Sequence, residues 1–153
     1  MPHSALTRRG SSVTYAPPAR SPWRRLYVSA LLALLPMLLK VFHALSKRVR
    51  AESAYLGPGF SLALTVEGSP ARAVVRYGGS RWRRAEEAAS VLTIGFRDLD
   101  YAYAVFSGGL SLNEALAARL FTTRGPNDAG VAVTYLFTTI LRTFFFWRRA
   151  YRR

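Results

Sequence analysis

From Phe60 to Trp147 the spacing of apolar positions changes repeatedly, and each change marks a new element. Phe60, Leu62, Leu64 and Val66 alternate with Ser61, Ala63 and Thr65, the period-two pattern of a half-buried strand. Gly68-Ser69-Pro70 turns the chain. A second strand follows over 71–77, with Ala73, Val75 and Tyr77 on one side and Arg72, Val74 and Arg76 on the other. The run VLTIGF at 91–96 is apolar on both faces, which predicts a central strand.

The period then lengthens. Leu99, Ala102, Tyr103 and Phe106 share one helical face behind Asp98, a residue suited to the N-cap, and Gly108-Gly109 stands where a helix ends. Ser111-Leu112-Asn113-Glu114 reads as a capping box opening a second helix, with Leu112, Ala115, Leu116 and Leu120 as its buried face. Residues 120–123 have strand composition, and Gly125-Pro126-Asn127-Asp128 breaks the chain. A last helix is expected from Val131, carrying Val133, Leu136, Phe137, Ile140, Phe144 and Trp147 on one face.

Ahead of this block lies a different pattern. Residues 1–22 are rich in Ser, Pro and Arg without apolar period, and read as a basic arm. Arg8-Arg9 is a faint echo of a twin-arginine export signal, set far from the apolar run. Leu26 to Leu39 is apolar except for Ser29 and Pro36, shorter than the roughly 17–20 residues that cross a bilayer. Plotted at about 100° per residue, Arg25, Ser29, Ala33, Pro36, Lys40, His43, Lys47 and Arg50 form one stripe. Leu31, Leu34, Leu35, Leu38, Val41, Phe42 and Leu45 fill the rest. That arrangement suits a helix over 23–50 docked on a protein groove or lying in a membrane interface; a membrane span and a cleaved signal remain alternatives.

Charge changes the picture once it is divided along the chain. The chain of 153 residues has a net charge of +14, yet its eight acids all fall between residues 51 and 141, where eight Arg balance them. The excess cations flank the two most apolar segments, which favours an anionic membrane surface as partner over nucleic acid. Arg24, Arg25, Lys47, Arg48, Trp147, Arg148 and Arg149 are the expected membrane contacts, and residues 148–153 a basic tail.

Candidate chemistry is sparse. Without cysteine there is neither a disulfide nor a thiolate metal site, and His3 and His43 have no ligand-spaced partners, so no metal or cofactor is expected. His43 reads as a solvated surface residue. Asp98 and Asp100 suit a helix N-terminus, where the dipole favours carboxylates, better than an acid–base pair. Arg81-Trp82-Arg83-Arg84 could contact phosphates or bases, but with Glu86 and Glu87 beside it reads first as an exposed strand end. No phosphate-binding glycine loop and no nucleophile elbow occurs, and no catalytic residue is assigned.

The order LTIGFRD, LDYAYAVFSGGLS, NEALAARLFTTRG and an apolar helix resembles the sterol carrier protein 2 (SCP2) family. The matching residues are Asp98, Gly108 or Gly109 with Leu110-Ser111, Ala115-Leu116 and Gly125. Two positions depart from the family pattern: Arg119 where a glycine usually precedes the last strand, and Pro126 in place of a polar residue. The resemblance implies an α+β domain over 57–147, a small antiparallel sheet covered by helices, with 23–50 as an extra N-terminal apolar helix. It also implies a non-catalytic role: holding a sterol, fatty acyl or isoprenoid chain in an apolar tunnel. Some relatives are accessory factors in isoprenoid quinone synthesis. Phe96, Tyr103, Phe106, Leu116, Leu120, Phe121, Leu136, Phe137 and Ile140 are the expected lining, in a cytoplasmic protein held peripherally at a membrane. The competing expectation is a small membrane-anchored protein without ligand.

Overall fold

The computed structural model describes residues 22–86 and 90–146. Helices α1 (Pro22–Leu45) and α2 (Lys47–Leu56) precede strands β1 (Ser61–Val66), β2 (Arg72–Tyr77), β3 (Trp82–Arg84) and β4 (Leu92–Phe96). Then come α3 (Leu99–Phe106), α4 (Leu112–Ala117), β5 (Phe121–Arg124) and α5 (Asn127–Phe145). The five strands form one sheet in the order β3-β2-β1-β4-β5. The α+β class holds, but the sheet is mixed rather than antiparallel throughout. β1 and β4 run parallel with Leu64 beside Ile94, while the other neighbouring pairs are antiparallel.

Alternation decides which face is covered. Leu62, Leu64 and Val66, Ala73, Val75 and Tyr77, and Leu92, Ile94 and Phe96 are buried under the helices. Arg72, Arg76, Thr122 and Arg124 point the other way and are exposed, with Val74, Thr65 and Thr93 half-buried among them. No described element covers that second face. The buried side chains form one contiguous core that also takes in Val28, Leu32, Leu35 and Leu39 of α1 and the inner face of α5.

Local chemistry accounts for most boundaries. Asp98 caps α3 by accepting from the Asp100 amide at 3.1 Å, and the capping box of Ser111 and Glu114 is complete. Gly108 sits just past α3 at φ +74°, and a Cβ there would run into the Phe145 ring, so glycine alone allows the α3–α4 joint to close on α5. The helix expected over 23–50 is instead two. Ser46 interrupts it, its hydroxyl accepting from the Val49 amide at 3.3 Å to cap α2. Helix α5 begins at Asn127, four residues ahead of Val131. Pro126 stands at its N-cap, so the break residues begin the helix rather than precede it.

Arg119, the departure ahead of the last strand, is the one described non-glycine residue with positive φ, at 55°. The backbone thus keeps the conformation a glycine would take freely, and a side chain there costs on the order of 1 kcal/mol. Arg119→Gly should therefore raise stability by roughly 0.5–1 kcal/mol, read from the urea midpoint. An unchanged or lower midpoint would show that the arginine side chain makes good the strain.

Candidate functional site

Helix α1 is apolar on two opposite faces. Val28, Leu32, Leu35 and Leu39 recur at helical spacing and are buried against the domain. On the far side Trp23, Leu26, Leu34, Met37, Val41 and Leu45 are exposed, Leu45 by 79%. The polar residues Arg25, Ser29, Lys40 and His43 occupy a narrow band between the two. The wide apolar arc read from the sequence is thus divided: one edge faces the core and the other faces outward.

Both ends of α1 are anchored. Arg24 pairs with Asp100 at 3.1 Å, and its guanidinium lies 5.0 Å from the centre of the Tyr103 ring. The Tyr27 hydroxyl donates to the Phe106 carbonyl at 2.9 Å, and the Tyr27 ring meets Tyr103 edge-on. At the far end the His43 Nε2 and Tyr77 hydroxyl are 3.3 Å apart, and the Phe42 ring lies 5.3 Å from Phe144 of α5. His43 is therefore half-buried and partnered rather than simply solvated. Burial first, and the Arg50 cation second, hold its pKa below the ordinary histidine value. The acid pair is likewise engaged, Asp98 with a backbone amide and Asp100 with Arg24.

Of the expected membrane contacts, Arg24 is turned toward α3, while Arg25, Lys47 and Arg48 are exposed. Trp147, Arg148 and Arg149 lie outside the described residues, as does the basic arm up to Ser21. Phe144 and Phe146 extend the exposed apolar surface at the end of α5.

The expected lining residues are largely brought together. Phe96, Phe106, Phe121, Leu136, Phe137 and Ile140 are buried in the common core, and Tyr103 and Leu120 pack against it. The Phe96 ring sits 5.3 Å from Phe106 and 5.5 Å from Phe121. All the expected lining residues but Leu116 belong to, or pack against, one contiguous apolar cluster between sheet and helices. Leu116 is apart: it is 47% exposed, because the short helix α4 turns only Leu112 and Ala115 inward. Two clefts of about 480 and 490 Å³ open on the surface, and neither is lined by these residues. One is enclosed by Pro22, Arg25, Glu67, Arg97, Asp98 and Asp100 among others, and is polar. The other lies at the β2–β3 hairpin. Among the described residues no group of three or more His, Asp or Glu is placed to hold a metal ion.

No family model matches the chain, and no curated protein matches it. Solved structures do. In fold, the chain is similar to sterol carrier protein 2 domains. The SCP2 structure of the ubiquinone synthesis protein UbiJ shares 16% identity over 80% of this chain and 98% of its own, with a TM-score of 0.49. The apo sterol carrier protein 2 of Yarrowia lipolytica shares 6% identity over 72% of this chain and 89% of its own, at a TM-score of 0.47. The palmitated SCP2L2 of Aedes aegypti shares 16% over 60% of this chain and 89% of its own, at 0.39. At these identities the likeness is one of fold.

Sequence reading missed Trp82 as an interior residue. It is 2% exposed, and its indole donates to the buried Ser53 hydroxyl of α2 at 2.9 Å. The alternation Arg81-Trp82-Arg83 was the available signal, since period two places the indole on one face and both arginines on the other.

Proposed function

We propose that this protein acts at a membrane surface as a non-catalytic binding protein for a hydrophobic chain molecule such as a sterol, fatty acyl or isoprenoid lipid. The observation that carries the reading is the outer face of α1. Six large apolar side chains stand exposed there on a helix whose inner face is already used, and Arg25, Lys47 and Arg48 lie beside them. A soluble surface gains nothing from such a stripe, whereas a lipid interface covers it and attracts the flanking cations. The attachment is peripheral. If α1 crossed the bilayer, Val28, Leu32, Leu35 and Leu39 would leave the domain, and the core residues beneath them would face water.

The guest belongs between sheet and helices, where the aromatic and aliphatic side chains converge. Because those side chains are buried in one cluster, binding requires the helical layer to yield. Helix α4 is its weakest part, with six residues and only Leu112 and Ala115 buried. Each methylene taken from water contributes about 0.8 kcal/mol toward that opening. A second reading, membrane attachment with no interior guest, is favoured by the burial of those side chains in one common cluster.

Native mass spectrometry of protein purified without detergent separates the two. A co-purifying lipid released on unfolding is expected under the first reading. Folded protein that repeatedly carries none, even after incubation with lipid vesicles, leaves the second.

A further inference from the structure

The balance of charge in residues 51–141 conceals a separation in space. The five strands carry Arg72, Arg76, Arg83, Arg84 and Arg124 and not one carboxylate. Among the described residues the acids of the same region lie outside the strands, most of them on helices and helix caps. Within the sheet, Arg76 of β2 stands directly opposite Arg83 of β3 in the antiparallel register. Like charges in that position repel, and a sheet shaped by stability alone avoids them. Burial of Trp82 against Tyr77 pins the register that produces this pair, with the ring centres 5.3 Å apart.

The two arginines do not stand on a flat surface. Arg76, Arg81, Arg83 and Arg84 line one cleft of about 480 Å³, with Gly78 and Ser80 of the hairpin turn and Ala85 completing the wall. Among the described residues Glu86 is the one carboxylate in it. Among the described residues none of these four guanidiniums forms an ion pair. Trp82 is sealed in the core, so no indole is available for a base to stack upon, which disfavours a nucleobase as the primary ligand. What remains is a cleft lined by four arginines, whose planar guanidinium donors match phosphate oxygens in pairs.

We propose that the cleft at the β2–β3 hairpin is a phosphate-binding site, taking a phosphomonoester or diphosphate group. The anion lies between Arg76 and Arg83, removes their mutual repulsion, and is closed in by Arg81 and Arg84. The site stands on the hairpin and is independent of the apolar interior, so lack of a co-purifying lipid leaves it untouched.

The test is calorimetric titration of the full chain with inorganic pyrophosphate, beside the double variant Arg76→Gln/Arg83→Gln. Saturable one-to-one binding is expected, weakened at least about tenfold in the variant. In phosphate-free buffer the variant should melt no lower than the parent, since it has lost a repulsive pair; should it fail to fold, Arg81→Gln in the turn replaces it. Glycerol phosphate and phosphatidate-containing vesicles serve as further arms. Arginine-dependent binding of the soluble phosphates assigns a free ligand, and arginine-dependent binding of the vesicles alone assigns a lipid headgroup. The proposal is overturned if pyrophosphate and vesicles both show no saturable binding, or if the variant binds them as tightly as the parent. It is also overturned if a short single-stranded oligonucleotide binds through these arginines without competition from pyrophosphate.

Discussion

Trp82→Ala is expected to lower the unfolding free energy by about 4 kcal/mol, the upper part of the range for emptying a large aromatic site. Two losses combine. The indole fills a closed space against Tyr77 and Phe60, with ring centres at 5.3 and 6.3 Å, and alanine leaves that space empty. Its N–H also satisfies Ser53, which is fully buried on α2, so truncation leaves a hydroxyl without its donor. Since a domain of this size has only about 5–15 kcal/mol in hand, the variant should unfold at markedly lower urea. Trp82→Phe keeps most of the ring and should lose only about 1–2 kcal/mol. If the alanine variant cost less than about 1 kcal/mol, the indole would not be the link between α2 and the sheet.

Replacing Leu34, Met37 and Val41 together with Gln should weaken vesicle binding about a hundredfold while the domain still unfolds cooperatively. Each of these side chains is roughly half exposed in the folded protein, so a membrane can take up on the order of 1 kcal/mol of its apolar surface. Three such losses give the hundredfold factor, and glutamine keeps the helix because it is a good helix former. Flotation on vesicles containing anionic lipid reads the effect, and added salt should weaken the parent further through Arg25, Lys47 and Arg48. The inner-face change Leu35→Gln provides the contrast, since it should damage folding instead. Flotation of the triple variant at parental strength would mean that lipid does not meet this face.

The elements legible in the chain were those written in local chemistry. Strands β1 and β2 follow from period-two alternation, β4 from its continuous apolar run, and α3 and α4 from Asp98, Gly108 and the Ser111–Glu114 box, all of which act within a few residues. The division at Ser46 was equally local, but the polar stripe continues through Lys47 and Arg50 and hides it. Strand β3 was harder. The alternation of Arg81-Trp82-Arg83 sets the indole on one face, but three residues do not say which face is covered. Trp82 is interior because Tyr77 and Ser53 are there to receive it.

The candidate surfaces divide in the same way. An apolar arc wider than a helix needs for docking was visible over 26–45, yet which edge of it would be covered depended on where the α1 anchors lie. Those are Asp100, the Phe106 carbonyl and Tyr77, up to about 80 residues away along the chain. Likewise a count of charges by segment makes residues 51–141 neutral. Only the strand register sets Arg76 opposite Arg83 and gathers four arginines around one cleft.

By itself, then, the order of residues settled the types of most elements, their caps and the α+β class, because propensity, periodicity and capping are short-range. Tertiary structure decided the parallel pairing of β1 with β4, the face that α1 leaves exposed and which side chains join the common core. Those depend on contacts between distant segments, where packing and charge act through space rather than along the backbone.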